Sequence, residues 1–181
     1  MYQEPCHIYS SYVQNNIGHS IYDTTRTLKP RKVVDFGILY GYSTVCLAQA
    51  VRDNEIGHVY ALDLFEDYKY RHSIKSVVEH NLEYYGLTDY VTLVKKSFDE
   101  WLNESWDFDL LHLDISNNGD VVDAVYKKYP DKAVMFEGGI VERDNIKWMI
   151  EHNNTPILNS KAPFTVLNKN FPGISGINIH L

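Results

Sequence analysis

The chain of 181 residues has little cysteine and no excess of positive charge. Its two cysteines, Cys6 and Cys46, belong to no Cys-x-x-Cys pair, and two thiols cannot form a disulfide scaffold. Seventeen lysines and arginines stand against 24 aspartates and glutamates, which gives a net charge of −7. Proteins that bind a phosphate backbone usually carry a basic excess or stripe. We therefore expect no nucleic-acid partner.

Long hydrophobic runs are also missing from the sequence. No stretch approaches the roughly 18 apolar residues that a membrane-spanning helix needs, and the first residues, MYQEPCHIYSSYVQ, lack the basic and apolar regions of a signal peptide. We expect a cytoplasmic protein without a membrane partner. An aromatic content of 13% and repeated Val/Ile/Leu runs exclude intrinsic disorder, and the length suits one domain.

Short apolar runs alternate with amphipathic stretches, a pattern that predicts strands connected by helices. The predicted strands are Lys32–Gly37, His58–Leu64, Val91–Lys95, Phe108–Asp114 and Lys132–Glu137, and the predicted helices are Ser43–Val51, Tyr68–Tyr85, Phe98–Asn103, Asp120–Tyr129 and Glu142–His152. Two further strands, Phe164–Asn168 and Ile174–His180, flank a turn at Asn170–Gly173 and read as a hairpin. Parallel strands need crossovers, which cover both sheet faces. The prediction is a doubly wound α/β fold whose mostly parallel seven-stranded sheet ends in an antiparallel hairpin.

The first 30 residues are rich in tyrosine and read as a helical extension that precedes a domain of residues 31–181. Three roles are open for this extension. It could cover a sheet face, cap an active site or pack against a second subunit, and the last role would make the protein a homodimer.

A glycine-containing turn follows the first predicted strand, where ligands of open α/β sheets bind. Its sequence, Asp35-Phe-Gly37-Ile-Leu-Tyr-Gly41-Tyr-Ser43-Thr44, lets the backbone approach a ligand at two glycines. It departs from Gly-x-Gly-x-x-Gly, so the dinucleotide fingerprint is not satisfied, and an ordinary strand-to-helix turn is the alternative. Asp63 ends the second strand, where a carboxylate can accept both ribose hydroxyls of a nucleoside. The alternative for Asp63 is a surface aspartate that starts a loop.

The motif Asp35-x-Gly37-x-x-x-Gly41-x-Ser43 resembles the first motif of class I S-adenosylmethionine-dependent methyltransferases, above all the macrocin O-methyltransferase and cephalosporin-hydroxylase-like branch. The resemblance implies S-adenosylmethionine as cofactor, with its methionine part on the glycine loop, its ribose on Asp63 and its adenine near Ser97 and Phe98. The cofactor-binding residues that it implies are Asp35, Gly37, Tyr40, Gly41, Ser43, Thr44, Asp63, Leu64, Ser97, Phe98 and Asp114.

Three residues at the ends of the fourth and fifth strands are candidate catalytic residues: His112, Asp114 and Glu137. His112 and Asp114 are two apart on a strand, so they share a face. In the metal-dependent O-methyltransferases that the chain resembles, acidic residues at these strand ends bind Mg²⁺, which lowers the pKa of a substrate hydroxyl. This implies a Mg²⁺ site at Asp114 and Glu137, although Gly138 stands where those enzymes carry Asp or Asn.

Alternatives to the metal site remain open at the same residues. Asp114 or Glu137 could act as a metal-free general base. Asp114 could equally cap backbone amides, and His112 could be a packed strand histidine. The charged run Glu142-Arg-Asp144 is expected to be solvated.

The function that we expect is methyl transfer from S-adenosylmethionine to a hydroxyl or amine of a small molecule, for which a sugar is one candidate. The alternative is a methyltransferase-like nucleoside-binding protein that has lost catalysis. A non-haem iron triad around His112-x-Asp114 is disfavoured by the strand-helix alternation. A nicotinamide oxidoreductase is disfavoured by the missing glycine fingerprint and by the lack of any tyrosine followed four residues later by lysine.

Overall fold

The computed structural model describes residues 1–68 and 73–180, and its strands form one seven-stranded sheet. The strands are β1 (Lys32–Phe36), β2 (His58–Asp63), β3 (Val91–Lys95), β4 (Leu110–Leu113), β5 (Ala133–Glu137), β6 (Thr165–Asn168) and β7 (Ile174–Ile177). Their order across the sheet is β3-β2-β1-β4-β5-β7-β6. Strands β1 to β5 pair in parallel, and β7 lies antiparallel to both β5 and β6. The predicted doubly wound, mostly parallel sheet with a C-terminal antiparallel hairpin is confirmed.

The two central strands, β1 and β4, are apolar on both faces, and this explains the three-layer arrangement. Val33 and Leu110 belong to the core on one face of the sheet, and Val34 and Leu111 belong to the core on the other. Such strands are stable only when helices cover both faces. The strand order reverses between β1 and β4, which is the place where an open α/β sheet forms its ligand crevice.

The helices follow the predicted positions with two corrections. They are α1 (Ile17–Leu28), α2 (Tyr42–Asn54), α3 (Lys75–Tyr84), α4 (Phe98–Asn103), α5 (Gly119–Lys128), α6 (Val141–Asp144) and α7 (Lys147–Glu151). The single helix predicted over Glu142–His152 is wrong, because the Asn145 side chain donates to the Val141 carbonyl and Ile146 is extended. The helix predicted from Tyr68 begins only at Lys75, since Tyr68 is extended after a 3₁₀ turn; residues 69–72 lie outside the described part.

The first 16 residues form an N-terminal segment without α-helix, so the helical prediction for residues 1–30 holds only for α1. The side-chain amide of Gln49 on α2 bonds both the N–H and the carbonyl of Gln3, at 2.7 and 2.8 Å. Further along the segment, the Tyr12 side chain is buried against the same core as α1 and α2. The segment therefore crosses the molecule from α2 to the ends of the central strands.

No helix within residues 1–68 and 73–180 has the length and apolar character needed to cross a lipid bilayer.

Candidate functional site

Two adjoining cavities of about 500 Å³ each open at the carboxyl ends of β1 and β4. This volume is typical of small-molecule sites. Both cavities are lined by Gly37, Leu39 and Asp114. The first cavity lies between the loop after β1 and residues 9–14 of the N-terminal segment, and the second extends along the ends of β1 to β4. One ligand can therefore span both cavities by passing Gly37.

Gly37 has no room for a side chain. Its φ is +84°, which L side chains rarely adopt, and a Cβ built on it would lie 2.2 Å from the Asp114 carbonyl oxygen. The loop after β1 therefore runs directly against the end of β4. Gly41, with φ of +88°, occupies the N-cap of α2 and lines neither cavity, so its contribution is the shape of the turn.

A buried polar network lies beneath the glycine loop. The Asp35 carboxylate accepts hydrogen bonds from the Ser43 hydroxyl at 3.0 Å and from the Thr44 hydroxyl at 2.6 Å, and it lies 2.8 Å from His112 Nδ1. Asp35, Thr44 and His112 are completely buried. These three candidates support the loop from below and line neither cavity, because Thr44 and His112 Nδ1 turn towards the Asp35 carboxylate. Of the network, only Ser43 reaches the first cavity.

His112 is held as the partner of Asp35. Burial lowers the pKa of His112, but the hydrogen bond and the charge of Asp35 outweigh that effect, and the pKa lies above its ordinary value. The raised pKa favours the imidazolium form, which would give the buried Asp35 carboxylate a counter-charge. A direct catalytic role of His112 stays a prediction.

The residues predicted around the nucleoside meet in the second cavity. Asp63, Leu64, Ser97 and Phe98 all line it. Asp63 accepts hydrogen bonds from the backbone N–H of Ile38 at 3.0 Å and of Phe65 at 2.8 Å, so its orientation is fixed. The remaining lone pairs of the carboxylate are available to a ligand. Tyr40 lines neither cavity; its carbonyl accepts from the Asn81 side chain.

Asp114 is the carboxylate that both cavities share. It accepts a hydrogen bond from the Tyr12 hydroxyl at 2.9 Å. Burial and the negative charge of Glu137 raise the pKa of Asp114 to about 7. A carboxyl group with a pKa near neutrality can exchange a proton with a bound molecule, so the site contains a candidate general base.

The Glu137 carboxylate is buried and already has three hydrogen-bond donors. Its Oε1 accepts from Arg143 Nε at 2.6 Å and from the Asn117 side chain at 2.8 Å, and its Oε2 accepts from the Ser11 hydroxyl at 3.2 Å. The charged run Glu142-Arg-Asp144 was expected to be solvated, and this is wrong for Arg143 and Asp144, which are both buried.

The predicted Mg²⁺ site at Asp114 and Glu137 does not fit these surroundings. The Arg143 guanidinium already supplies the positive charge beside Glu137. Gly138, where a third ligand would stand, has φ of +103°, a conformation that L side chains rarely adopt. Within the described residues, no group of three or more His, Cys, Asp or Glu is arranged to hold a metal ion. The residues at these two strand ends therefore do not fit a resident Mg²⁺ ion.

Sequence reasoning missed Ser11, Tyr12 and Arg143 as parts of the site. The only signal for the first two was the tyrosine-rich start of the chain, for which capping an active site was one open role. No motif marks Arg143. It enters the site through its pairing with Glu137, which the sequence does not reveal.

The fold is similar to that of several solved methyltransferase structures. No curated protein matches the chain. The S-adenosylhomocysteine-bound methyltransferase PaMTH1 from Podospora anserina is 15% identical, with a TM-score of 0.67 over 96% of this chain and 81% of that chain. The O-methyltransferase from Bacillus cereus, in complex with S-adenosylhomocysteine, is 16% identical, with a TM-score of 0.64 over 94% and 84%. TomG of Streptomyces achromogenes, an O-methyltransferase in complex with S-adenosylmethionine, is 15% identical, with a TM-score of 0.59 over 93% and 80%. At these identities the likeness shows the fold alone.

The family assignment rests on the sequence itself. A family model described as a methyltransferase domain matches residues 34–146. That range is more than half of the chain, and it contains the glycine loop, Asp63, Asp114, Glu137 and Arg143. The chain therefore belongs to this methyltransferase-domain family.

Proposed function

We propose that the chain binds S-adenosylmethionine and transfers its methyl group to an oxygen atom of a small molecule. One observation carries this proposal: Asp63, Leu64, Ser97 and Phe98 line one cavity together with Gly37 and Asp114. A nucleoside placed there has a carboxylate for its ribose and an aromatic wall for its base. The remainder of the cofactor then lies near a carboxyl group that can take a proton.

The two cavities suit the two halves of the cofactor. In the proposed pose the nucleoside occupies the second cavity, and the methionine part extends past Gly37 into the first, where Ser43 lies. A glycine is required at this point, because a Cβ on Gly37 would lie 2.2 Å from the Asp114 carbonyl oxygen and would displace the loop or Asp114. The three cofactor-bound structures described above support this choice of ligand, because their fold is the same.

Methyl transfer requires the protein to align the acceptor oxygen with the methyl carbon and to provide a proton acceptor. When bound, S-adenosylmethionine supplies a methyl group already activated on a sulfonium. We assign the proton of the acceptor hydroxyl to Asp114, which lines both cavities and is orientated by the Tyr12 hydroxyl. Holding the acceptor oxygen in line with the methyl carbon accounts for the rest of the rate enhancement.

Other parts of the proposal rest on the sequence. The loop motif supports membership of the macrocin O-methyltransferase and cephalosporin-hydroxylase-like branch, which keeps a sugar hydroxyl among the candidate acceptors. Residues 31–181 are proposed as the cofactor-binding domain and residues 1–30 as an extension over the site. We further propose a cytoplasmic location, a small-molecule acceptor rather than nucleic acid, and a homodimeric assembly.

A second candidate is a nucleoside-binding protein without catalysis. The observation that favours it is the pairing of Glu137 with Arg143, which leaves Asp114, held by the Tyr12 hydroxyl, as the remaining candidate base at the ends of β4 and β5. Binding of S-adenosylhomocysteine, without transfer of labelled methyl from S-adenosylmethionine to any hydroxyl or amine acceptor, would support this candidate.

Calorimetric titration of the full chain with S-adenosylhomocysteine tests the proposal. Wild type should bind it and should not bind NADH. Asp63→Asn should weaken binding by about 1–3 kcal/mol, because a charged acceptor for the ribose hydroxyls is lost. Asp67→Asn is the matched control, since Asp67 lies on the same loop but is exposed and paired with Lys95. Equal affinity in wild type and Asp63→Asn would remove Asp63 from the site, and no binding by wild type would refute the proposal.

A further inference from the structure

We propose that Arg143 is a catalytic residue whose free guanidinium N–H binds the acceptor oxygen and stabilises the negative charge that develops there. Arg143 would thus act where metal-dependent methyltransferases use a divalent cation. This inference rests on the proposed function, and it narrows the acceptor to a hydroxyl group that can carry negative charge.

The unpaired nitrogen of Arg143 is the first observation. Arg143 lines the second cavity together with Asp114, and the residue is 9% exposed. Its Nε donates to Glu137, whereas its Nη1 is buried and has no hydrogen-bond partner among the described residues. Buried polar groups are nearly always paired, and an exception needs an explanation. A ligand oxygen in the cavity supplies the missing partner.

The surroundings hold the guanidinium in place. Glu137 binds it through Nε only, which leaves the other N–H groups of the planar fork for a ligand. Asp144, the next residue, accepts the backbone N–H groups of Ile157 and Leu158 and so anchors α6. The donor is therefore orientated before the acceptor arrives, which makes such a donor effective.

Gly138 stands at the position of the third metal ligand and lies beside Arg143. A Cβ at this position would lie 3.6 Å from Arg143 Cγ, in van der Waals contact, so a longer side chain here would compete with Arg143 for space. The same glycine that removes the ligand leaves room for the cation. Arg143 and a metal ion are thus alternative neighbours of Glu137.

Ser116 offers a second free donor in the same cavity. Its Oγ is buried and has no hydrogen-bond partner within the described ranges, and the residue lines the second cavity. A cation and a hydroxyl together favour an acceptor that carries negative charge over a protonated amine. The site therefore fits an ionisable hydroxyl, such as that of a phenol, whose ordinary pKa is about 10.

The transfer balances without an ion or an external reagent. The O–H bond of the acceptor breaks and its proton passes to Asp114. A bond forms between the acceptor oxygen and the methyl carbon, and the carbon–sulfur bond breaks with its electron pair left on sulfur. Arg143 exchanges neither proton nor electron and donates its hydrogen bond throughout.

Titration of the S-adenosylhomocysteine-saturated full chain with 4-nitrophenol tests this role, because the ionised probe absorbs visible light. Wild type should bind the probe as phenolate. Arg143→Gln should bind it at least tenfold more weakly and as the neutral phenol. Arg52→Gln is the matched control, since Arg52 also pairs with a carboxylate, that of Asp53 at 2.8 Å, but lines neither cavity. Identical affinity and spectrum in wild type and Arg143→Gln, including no binding by either, would overturn the inference.

Two additions make the test decisive if Arg143→Gln folds poorly. The double variant Arg143→Gln/Glu137→Gln removes the ion pair as a unit, so no lone buried charge remains, and it should lose phenolate binding like the single variant. Electron paramagnetic resonance should show no Mn²⁺ bound by wild type, and one equivalent of tightly bound Mn²⁺ would overturn the inference. Calorimetry with S-adenosylhomocysteine separates the failures: no cofactor binding refutes the proposed function, whereas normal cofactor binding without an Arg143 effect refutes only this inference.

Discussion

At the scale of a single residue, the raised pKa of Asp114 suits proton transfer but lowers the stability of the native state as the pH rises. Its pKa rises from an ordinary 3.8 to about 7, first through burial and then through the charge of Glu137. Between these two pH values the native chain keeps a proton that the unfolded chain has released. The native state therefore binds more protons, and this group makes stability fall as the pH rises through that interval.

Asp114→Asn should accordingly raise the melting temperature at pH 8 and change it little at pH 4, because asparagine cannot ionise and can still accept from Tyr12. Scanning calorimetry between pH 4 and 8 measures the difference. Asp131→Asn, at an exposed turn, serves as control and should give a flat difference. A difference for Asp114→Asn that does not change with pH would contradict the raised pKa.

The residues of the site could be predicted from the sequence in part. Asp63, Asp114 and the glycine loop follow from their positions after strands, and the structure places all three around the cavities. Asp35 in β1, His112 in β4 and Thr44 in α2 were also predicted as site residues, but they turn inward to one another. Strand position does not distinguish a residue that supports a loop from one that faces a ligand, because the difference depends on pairing between β1 and β4.

At the scale of secondary-structure elements, the turn between β1 and α2 is the part of the fold most specific to the site. The boundaries of the strands were predicted to within three residues, because burial of the Val/Ile/Leu runs favours strands there. The break between α6 and α7 was not, since Asn145 interrupts a sequence with helical character. The turn itself combines two requirements, a left-handed backbone at Gly37 and close approach to Asp114.

Gly37→Ala should therefore be far more harmful than a glycine substitution that meets only the first requirement. Gly86 ends α3 with φ of +63° and has no atom within 4 Å of an added Cβ, so Gly86→Ala should cost about 1–2 kcal/mol of unfolding free energy. Gly37→Ala adds a clash with the Asp114 carbonyl and should lose several kcal/mol and all binding of S-adenosylhomocysteine. Urea denaturation and calorimetry measure both effects, and equal losses in the two variants would contradict the close approach of Gly37 to Asp114.

At the scale of the whole molecule, the N-terminal segment ties the start of the chain to the ends of β4 and β5. Ser11 donates to Glu137 and Tyr12 donates to Asp114, across sequence separations of 126 and 102 residues. Of the three roles left open by the sequence, these contacts favour a cap over the site. No local pattern could have selected it, because both partners are distant in sequence.

Tyr12→Phe tests this tie through the titration of Asp114. Burial raises the pKa of Asp114, and the hydrogen bond from Tyr12 lowers it. Removal of that hydrogen bond should therefore raise the pKa further. The pH interval over which stability falls should then extend to higher pH than in wild type. Tyr22→Phe is the control, because its hydroxyl bonds Asp53 away from the cavities. Superimposable pH profiles of wild type and Tyr12→Phe would show that the segment does not act on the site.

The most direct test of the account is a crystal structure of the full chain with S-adenosylhomocysteine. The ribose hydroxyls should lie within hydrogen-bond distance of Asp63 and the adenine beside Ser97 and Phe98. The sulfur should lie at the passage by Gly37, towards Asp114. Ligand density outside the two cavities, or a nucleoside that makes no contact with Asp63, would contradict the account.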